Sequence, residues 1–150
     1  MQFTDKEIEL AKQVKEVGLE WTPMFGDVVL YHTDIMVVWY SAGKFIVCIP
    51  QAVERGVDGK GEYIHQSHYN LVPDDVIWLP LWHQCRNILK QHSIELTVSD
   101  VPAGTTITLW KRLPIGGIEF YHQIVADSDL EAMYRAILEV FHMPANSLNE

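Results

Sequence analysis

The sequence contains few cysteines and no long hydrophobic run. No apolar segment approaches the roughly 20 residues that a membrane-spanning helix needs, so we expect no contact with a membrane. Cys48 and Cys85 both stand among apolar residues, which is typical of small buried thiols. A disulfide between them stays open on counting alone, but a reducing compartment would favour two free thiols.

The N-terminal residues Met1–Glu7 lack both the basic segment and the apolar segment of a secretory signal peptide. Their polar character and the sparse cysteines predict a cytoplasmic protein. A chain of 150 residues, 48% of them hydrophobic, is long enough to bury a substantial core. We therefore expect one α+β domain spanning residues 1–150.

Positive charge is scarce as well. The chain has 11 Lys and Arg residues against 20 Asp and Glu residues, which gives a formal net charge of −9. Such a surface repels phosphate backbones, so we expect no direct binding of nucleic acid. The acids are spread along the chain, and their main effect is on solubility. One alternative stays open: an acidic inhibitor that imitates nucleic acid and occupies a nucleic-acid-binding enzyme.

Residues 76–90 form the stretch around which the other predicted elements are arranged. An apolar run, Val76 to Leu79, leads into Pro80, and proline suits the first helical position because its missing N–H costs nothing there. The next apolar residues have the i, i+4, i+7, i+8 spacing of one helix face: Leu81, Cys85, Ile88 and Leu89. The sequence thus predicts a central helix that begins at Pro80, between β segments.

Capping boxes predict two further helices. Thr4 with Glu7, and Ser128 with Glu131, have the spacing in which a hydroxyl and a carboxylate cap each other's backbone amides. Each pair precedes an amphipathic run, and the run from Leu130 to Phe141 is the clearest in the chain.

Six β-prone runs flank the central helix. They are residues 28–32, 35–40, 45–49, 94–98, 105–112 and 118–125. The second and third runs are joined by a glycine-containing turn and predict a hairpin, with at least one strand covered on both faces. The last three, joined by short turns, predict an antiparallel meander. The predicted fold class is α+β: a hairpin and a C-terminal three-strand meander packed with about three helices.

Two local predictions complete the fold. In the last strand, alternation places Ile118, Phe120 and Ile124 together on one face. The glycine-rich residues 51–75 predict an exposed, mobile excursion that contains a short strand, Glu62–Gln66.

Three motifs carry a family resemblance. They are W-x-P-x-x-G-D at Trp21–Asp27, W-L-P at Trp78–Pro80 before a helix, and an acid followed by a small residue at Glu131-Ala132. In these stretches the chain resembles small uncharacterised proteins of phages, prophages and mobile elements of bacteria. The helix after Pro80 is more apolar than is usual in that family, and residues 51–70 have no counterpart there. The resemblance implies the fold layout and a mobile-element origin, and it implies no activity.

Histidines give the first candidate chemistry. His65 and His68 are three residues apart and could bind zinc with His83 or Cys85 if they shared a helix face. We expect them in a loop or strand, where residues i and i+3 point to opposite faces. A metal- or small-ligand-binding protein using His65, His68 and His83 is therefore an alternative function, and we expect no metal and no cofactor.

Catalytic patterns are weak throughout. His83 and Cys85 are two residues apart on the predicted helix and so point in different directions. The apolar surroundings of Cys85 raise its thiol pKa and make it a poor nucleophile. Gly56, Gly59 and Gly61 lack the Gly-Lys-Ser/Thr ending of a phosphate-binding loop. We expect no catalytic residue and no enzymatic activity.

Tryptophan gives the candidate binding surface. Most of the five tryptophans should lie in the core, where each buries a large area. Trp78 and Trp82 flank Pro80 and are the predicted binding residues, lining a groove or a subunit contact, because aromatic residues are enriched at interface centres. The leading hypothesis is a non-enzymatic, cytoplasmic accessory protein of a phage or mobile element. It would act through a protein partner or self-association, such as a homodimer.

Overall fold

The computed structural model describes residues 2–50, 68–102 and 104–142. The predicted strand Glu62–Gln66, most of the predicted excursion and the histidine His65 lie outside these ranges. Within the described ranges, no helix combines the length and the apolar character needed to cross a membrane.

The chain divides into two compact units. Met1–Leu19 and Leu81–Glu150 form one, which we call the meander unit, and Glu20–Pro80 form the other, which we call the five-strand unit. The meander unit is thus built from two separate stretches of chain. The single domain expected from chain length stays a prediction.

The five-strand unit is an antiparallel sheet. Its strands are β1 (Val28–Tyr31), β2 (Asp34–Ser41), β3 (Lys44–Cys48), β4 (His68–Asn70) and β5 (Val76–Trp78). They lie in the order β4-β3-β2-β1-β5. The predicted hairpin is confirmed as β2–β3: its turn residues Ala42 and Gly43 both have positive φ, 52° and 79°, as tight hairpin turns require.

Both faces of this sheet are covered at its centre. Three consecutive residues of β1 are buried, from Val28 to Leu30, and so are three of β3, from Ile46 to Cys48. Because successive strand residues point to opposite faces, such runs require cover on both sides, which confirms the sequence-based expectation. One face carries a buried cluster: Val29, Met36, Val38, Val47 and Val76.

The meander unit is a three-stranded antiparallel sheet with helices. Its elements are α1 (Asp5–Glu16), α2 (Trp82–Gln91), β6 (Ile94–Val101), β7 (Gly104–Arg112), β8 (Ile118–Ala126) and α3 (Asp129–Phe141). The strand order is β6-β7-β8. Helix α3 packs on β7 and β8 and also contacts α1 and α2, while α2 contacts β6. With three helices and two antiparallel sheets among the described residues, the α+β prediction is confirmed.

The central helix begins later than the sequence predicts. It starts at Trp82, and Leu81 before it has an extended backbone, with φ −77° and ψ 166°. The Leu81 amide donates to the Gln84 side-chain oxygen at 2.8 Å, so the Gln84 side chain caps the helix end. The placement of Pro80 at the first helical position is therefore wrong, because this cap moves the helix start two residues along the chain.

Two helix N-termini are joined by one carboxylate. The predicted box of α1 is present: the Thr4 amide donates to Glu7 Oε2 at 2.9 Å, and the Glu7 amide donates to Thr4 Oγ1 at 3.1 Å. At α3 only half of the predicted box forms: the Glu131 amide donates to Ser128 Oγ at 3.1 Å, while the Glu131 carboxylate accepts from the Asp127 amide and not from the Ser128 amide. The Ser128 hydroxyl in turn donates to Glu7 Oε1 at 2.7 Å. Glu7, only 6% exposed, thus caps its own helix and holds α1 against α3.

Glu131 forms two ion pairs beside the same helix ends. It is 2% exposed, and its Oε1 lies 2.9 Å from Lys6 Nζ and 3.2 Å from an Arg135 guanidinium nitrogen. Its other oxygen accepts from the Asp127 amide at 3.2 Å. The hydrogen bond to Glu131 raises the pKa of Lys6. Two cations beside a buried carboxylate offset the cost of removing it from water.

Replacing Glu7 with alanine tests the joined caps. We expect Glu7→Ala to lower the free energy of unfolding by about 2 kcal/mol, because the change removes two hydrogen bonds to a buried carboxylate. Glu9→Ala is the matched control, an exposed glutamate of the same helix, and should stay within about 0.5 kcal/mol of the parent. Denaturant titration measures both, and equal losses would contradict the role of Glu7.

Candidate functional site

Trp78 packs against the loop that precedes β1 in the five-strand unit. It lies in β5 and stacks on Trp21, with ring centroids 5.9 Å apart and planes 14° from parallel. The Trp21 ring nitrogen donates to Asp27 Oδ2 at 2.8 Å, and the Met24 amide donates to the same oxygen at 2.9 Å. Asp27, 4% exposed, therefore fastens the loop that carries Trp21.

This loop explains the W-x-P-x-x-G-D motif in structural terms. Gly26 has a φ of +88°, which favours glycine, and its amide donates to the Val38 carbonyl at 2.8 Å. The Val38 amide donates back to the Asp27 carbonyl at 2.8 Å. The motif residues thus turn the chain into β1, and their role in these contacts is to hold the loop against the sheet.

Trp82 is the first residue of α2 in the meander unit. It is half-buried, and the Arg86 guanidinium lies 5.8 Å from the centre of its ring. Trp78 and Trp82 belong to different units. That the two tryptophans line one binding surface stays a prediction.

The two histidine candidates that the structure describes also lie in different units. His68 is the exposed first residue of β4, His83 is exposed on α2, and His65 lies outside the described residues. In the part of the chain that the structure describes, no three His, Cys, Asp or Glu side chains form a group that could hold a metal ion.

Both cysteines are free, buried thiols. Burial raises the pKa of Cys48 to about 11, and burial raises the pKa of Cys85 much further. His83 is exposed on the helix that buries Cys85. A neutral, inaccessible thiol is a poor nucleophile, so this pair does not have the arrangement of a thiol and its activating base.

A groove of about 420 Å³ lies between α1, β8 and α3. His122 Nε2 is 3.7 Å from Glu139 Oε1 there, and Arg135 is held by Glu131 and by the Val125 carbonyl, at 3.2 Å each. The cationic and histidine groups of this groove therefore have partners within the chain.

The meander presents a second face away from the helices. Along β7, alternate residues from Thr105 to Lys111 are buried, and α3 packs on this strand. The intervening residues, and those paired beside them, point the other way. We call this set the open face: Glu95, Thr97, Ser99, Val101, Thr106, Thr108, Trp110, Arg112, Ile118, Phe120, Gln123 and Val125.

A β-bulge creates the apolar content of the open face. Leu109 pairs with His122, whereas the next residue, Trp110, pairs with Phe120, so Tyr121 is an extra residue in β8. The extra residue changes which side chains share a face. Ile118 and Phe120 lie on the open face, while Ile124 is buried with the helices. The predicted common face for these three residues is therefore wrong, because regular alternation stops at the bulge.

Large apolar side chains on the open face are exposed. Ile118 is 55% exposed, Phe120 60% and Val125 57%. The rings of Trp110 and Phe120 meet edge to face, with centroids 6.1 Å apart, and the Trp110 ring nitrogen donates to Thr97 Oγ1 at 3.3 Å. Neighbouring aromatic and β-branched side chains on strands form a continuous surface, and exposed apolar patches of this kind mark interaction sites.

The open face is also electrically neutral. Its only charged side chains are Glu95 and Arg112, which form an ion pair with each other. Asp100 and Glu119, acids of the same sheet, alternate onto the other face. A chain of net charge −9 thus has one sheet face without net charge. Such a surface can lose its water at low electrostatic cost, which suits protein contact.

The raised pKa of the Cys48 thiol predicts that the folded protein loses stability at alkaline pH. In the unfolded chain this thiol ionises near its ordinary pKa of 9.0, while in the fold it stays protonated until about pH 11. The stability that the neutral thiol contributes is therefore complete below pH 9 and lost as the pH rises to 11. We expect the free energy of unfolding of Cys48→Ala to fall less steeply than that of the parent over this window, by about 1.4 kcal/mol per pH unit.

Denaturant titrations at several pH values between 8 and 11 measure that difference. Other groups that ionise in this range are shared by both proteins and cancel in the comparison. Parallel slopes for the parent and the variant would contradict the raised thiol pKa.

Comparison of the chain with protein-family models, with curated proteins and with solved structures gives no match. Among the described surfaces, the open face of the meander combines apolar exposure, aromatic contact and neutrality.

Proposed function

We propose that this chain is a non-enzymatic, cytoplasmic protein that acts by protein contact, and that the open face of the meander is its contact surface. The observation that carries this proposal is the cluster of exposed apolar side chains on a neutral sheet face of an acidic chain. Interface centres share these properties: aromatic residues are enriched there and charged residues are depleted.

The sheet behind the open face is suited to hold these side chains rigidly. Strands β6, β7 and β8 are paired along their lengths, and α3 packs on the opposite side of β7 and β8. Contact residues on a packed sheet lose little conformational freedom when a partner binds, which favours affinity. A role as an accessory protein of a phage or mobile element is part of the proposal and depends on the three sequence motifs.

Photo-crosslinking tests the contact surface. We expect benzoylphenylalanine placed at position 120 to form an adduct with a protein when bacterial cells that produce the chain, or the purified chain, are irradiated. The matched control is the same replacement at Phe25, an aromatic residue of the five-strand unit that is also 60% exposed. Mass analysis of the adducts identifies what is bound.

The comparison of the two positions decides the proposal. A protein adduct at position 120, with little or none at position 25, supports the open face as the contact surface. Absence of any protein adduct at position 120, in cells and in the purified protein alike, would overturn it.

A further inference from the structure

We infer that the partner of the open face is a second copy of this chain, packed face to face about a twofold axis. This inference rests on the proposed function and names the occupant of the same surface.

Charge restricts how two copies can meet. Each chain carries a net charge of −9, so two copies repel each other in most orientations. The open face brings only Glu95 and Arg112 to the contact, and these already neutralise each other. Sheets that pack face to face lie about 10 Å apart, close to the screening length of about 8 Å at physiological salt, so acids on the outer sides of the two sheets are screened. The open face thus admits a second copy at low electrostatic cost.

Shape favours one orientation of the axis. The end of the open face near the β7–β8 turn is bulky, with Trp110, Ile118 and Phe120, whereas the other end carries the smaller Thr106 and Val125. A twofold axis that crosses the strands places the bulky end of each copy on the small end of its partner. Each contact then occurs twice, and large side chains meet small ones, as dense packing requires.

The area of the open face sets the expected affinity of the dimer. Strands of up to nine residues and a width of three strands give a footprint of roughly 30 Å by 14 Å. Side chains raise its accessible area toward the roughly 600 Å² per partner at which specific interfaces begin. We therefore expect a dissociation constant in the micromolar range, at the weak end for dimers.

The dimer is tested by sedimentation equilibrium of the full chain. We expect the parent to reach twice the chain mass at about 100 μM. Phe120→Glu should raise the dissociation constant at least about 100-fold, because the charge enters the interface twice. Phe25→Glu, the matched control at equal exposure, should leave the dimer unchanged.

A second variant, Ile118→Glu, provides the same test if Phe120→Glu does not fold. Ile118 is 55% exposed, so the charge should be tolerated in the monomer, and circular dichroism confirms the fold of each variant. A parent that is monomeric at 100 μM, or a folded Phe120→Glu or Ile118→Glu variant that dimerises normally, would overturn the second copy as partner.

The two experiments separate the inference from the proposed function. A monomeric parent whose position 120 crosslinks to a different protein would overturn the second copy and leave the contact surface standing. A monomeric parent with no adduct at position 120 would overturn both.

Discussion

The buried carboxylate of Glu7 holds the meander unit together. Residues 20–80 separate α1 from the rest of that unit, so contacts between helices must join the two parts of the chain. Glu7 meets this need with one side chain, since its two oxygens accept from the Thr4 amide and the Ser128 hydroxyl. The first amides of two helices are satisfied at one point, and α3 is fixed over the sheet. The order of the open face depends on this arrangement, because α3 supports the other side of the same strands.

Much of the fold could be predicted from the sequence because its signals are local. The box at Thr4 and the hydroxyl cap at Ser128 depend on residues three apart, and the β2–β3 turn depends on neighbours. The helix start at Trp82 was missed because the Gln84 side chain supplies a cap that competes with proline. The short strands β4 and β5 have three residues each and are defined by pairing with distant strands, which no local pattern shows.

The candidate surface was less predictable than the fold. Trp78 stood out beside a proline, yet in the structure it stacks on the loop that Asp27 fastens. The open face depends on Trp110, which the sequence marks only as one of five tryptophans. Its aromatic neighbour Phe120 alternates with polar residues and reads as half-buried. A bulge has no sequence signature of its own here, since it is defined by the pairing of two strands. The alternation of Thr106, Thr108 and Trp110 with buried neighbours was the signal that could have indicated a second face.

The bulge at Tyr121 also determines which residues of β8 face the helices and which lie on the open face. Deletion of that one residue would make Phe120 and His122 neighbours, paired with Trp110 and Leu109 as they are now. The strand would become regular, with Ile118 and Phe120 still on the open face and Ile124 still toward the helices. A single-codon deletion at the bulge would thus keep both faces of the strand, whereas a deletion at another position of β8 would turn the residues on one side of it to the opposite face. In related chains, the loss of one residue should therefore be tolerated better at this bulge than at any other position of the strand.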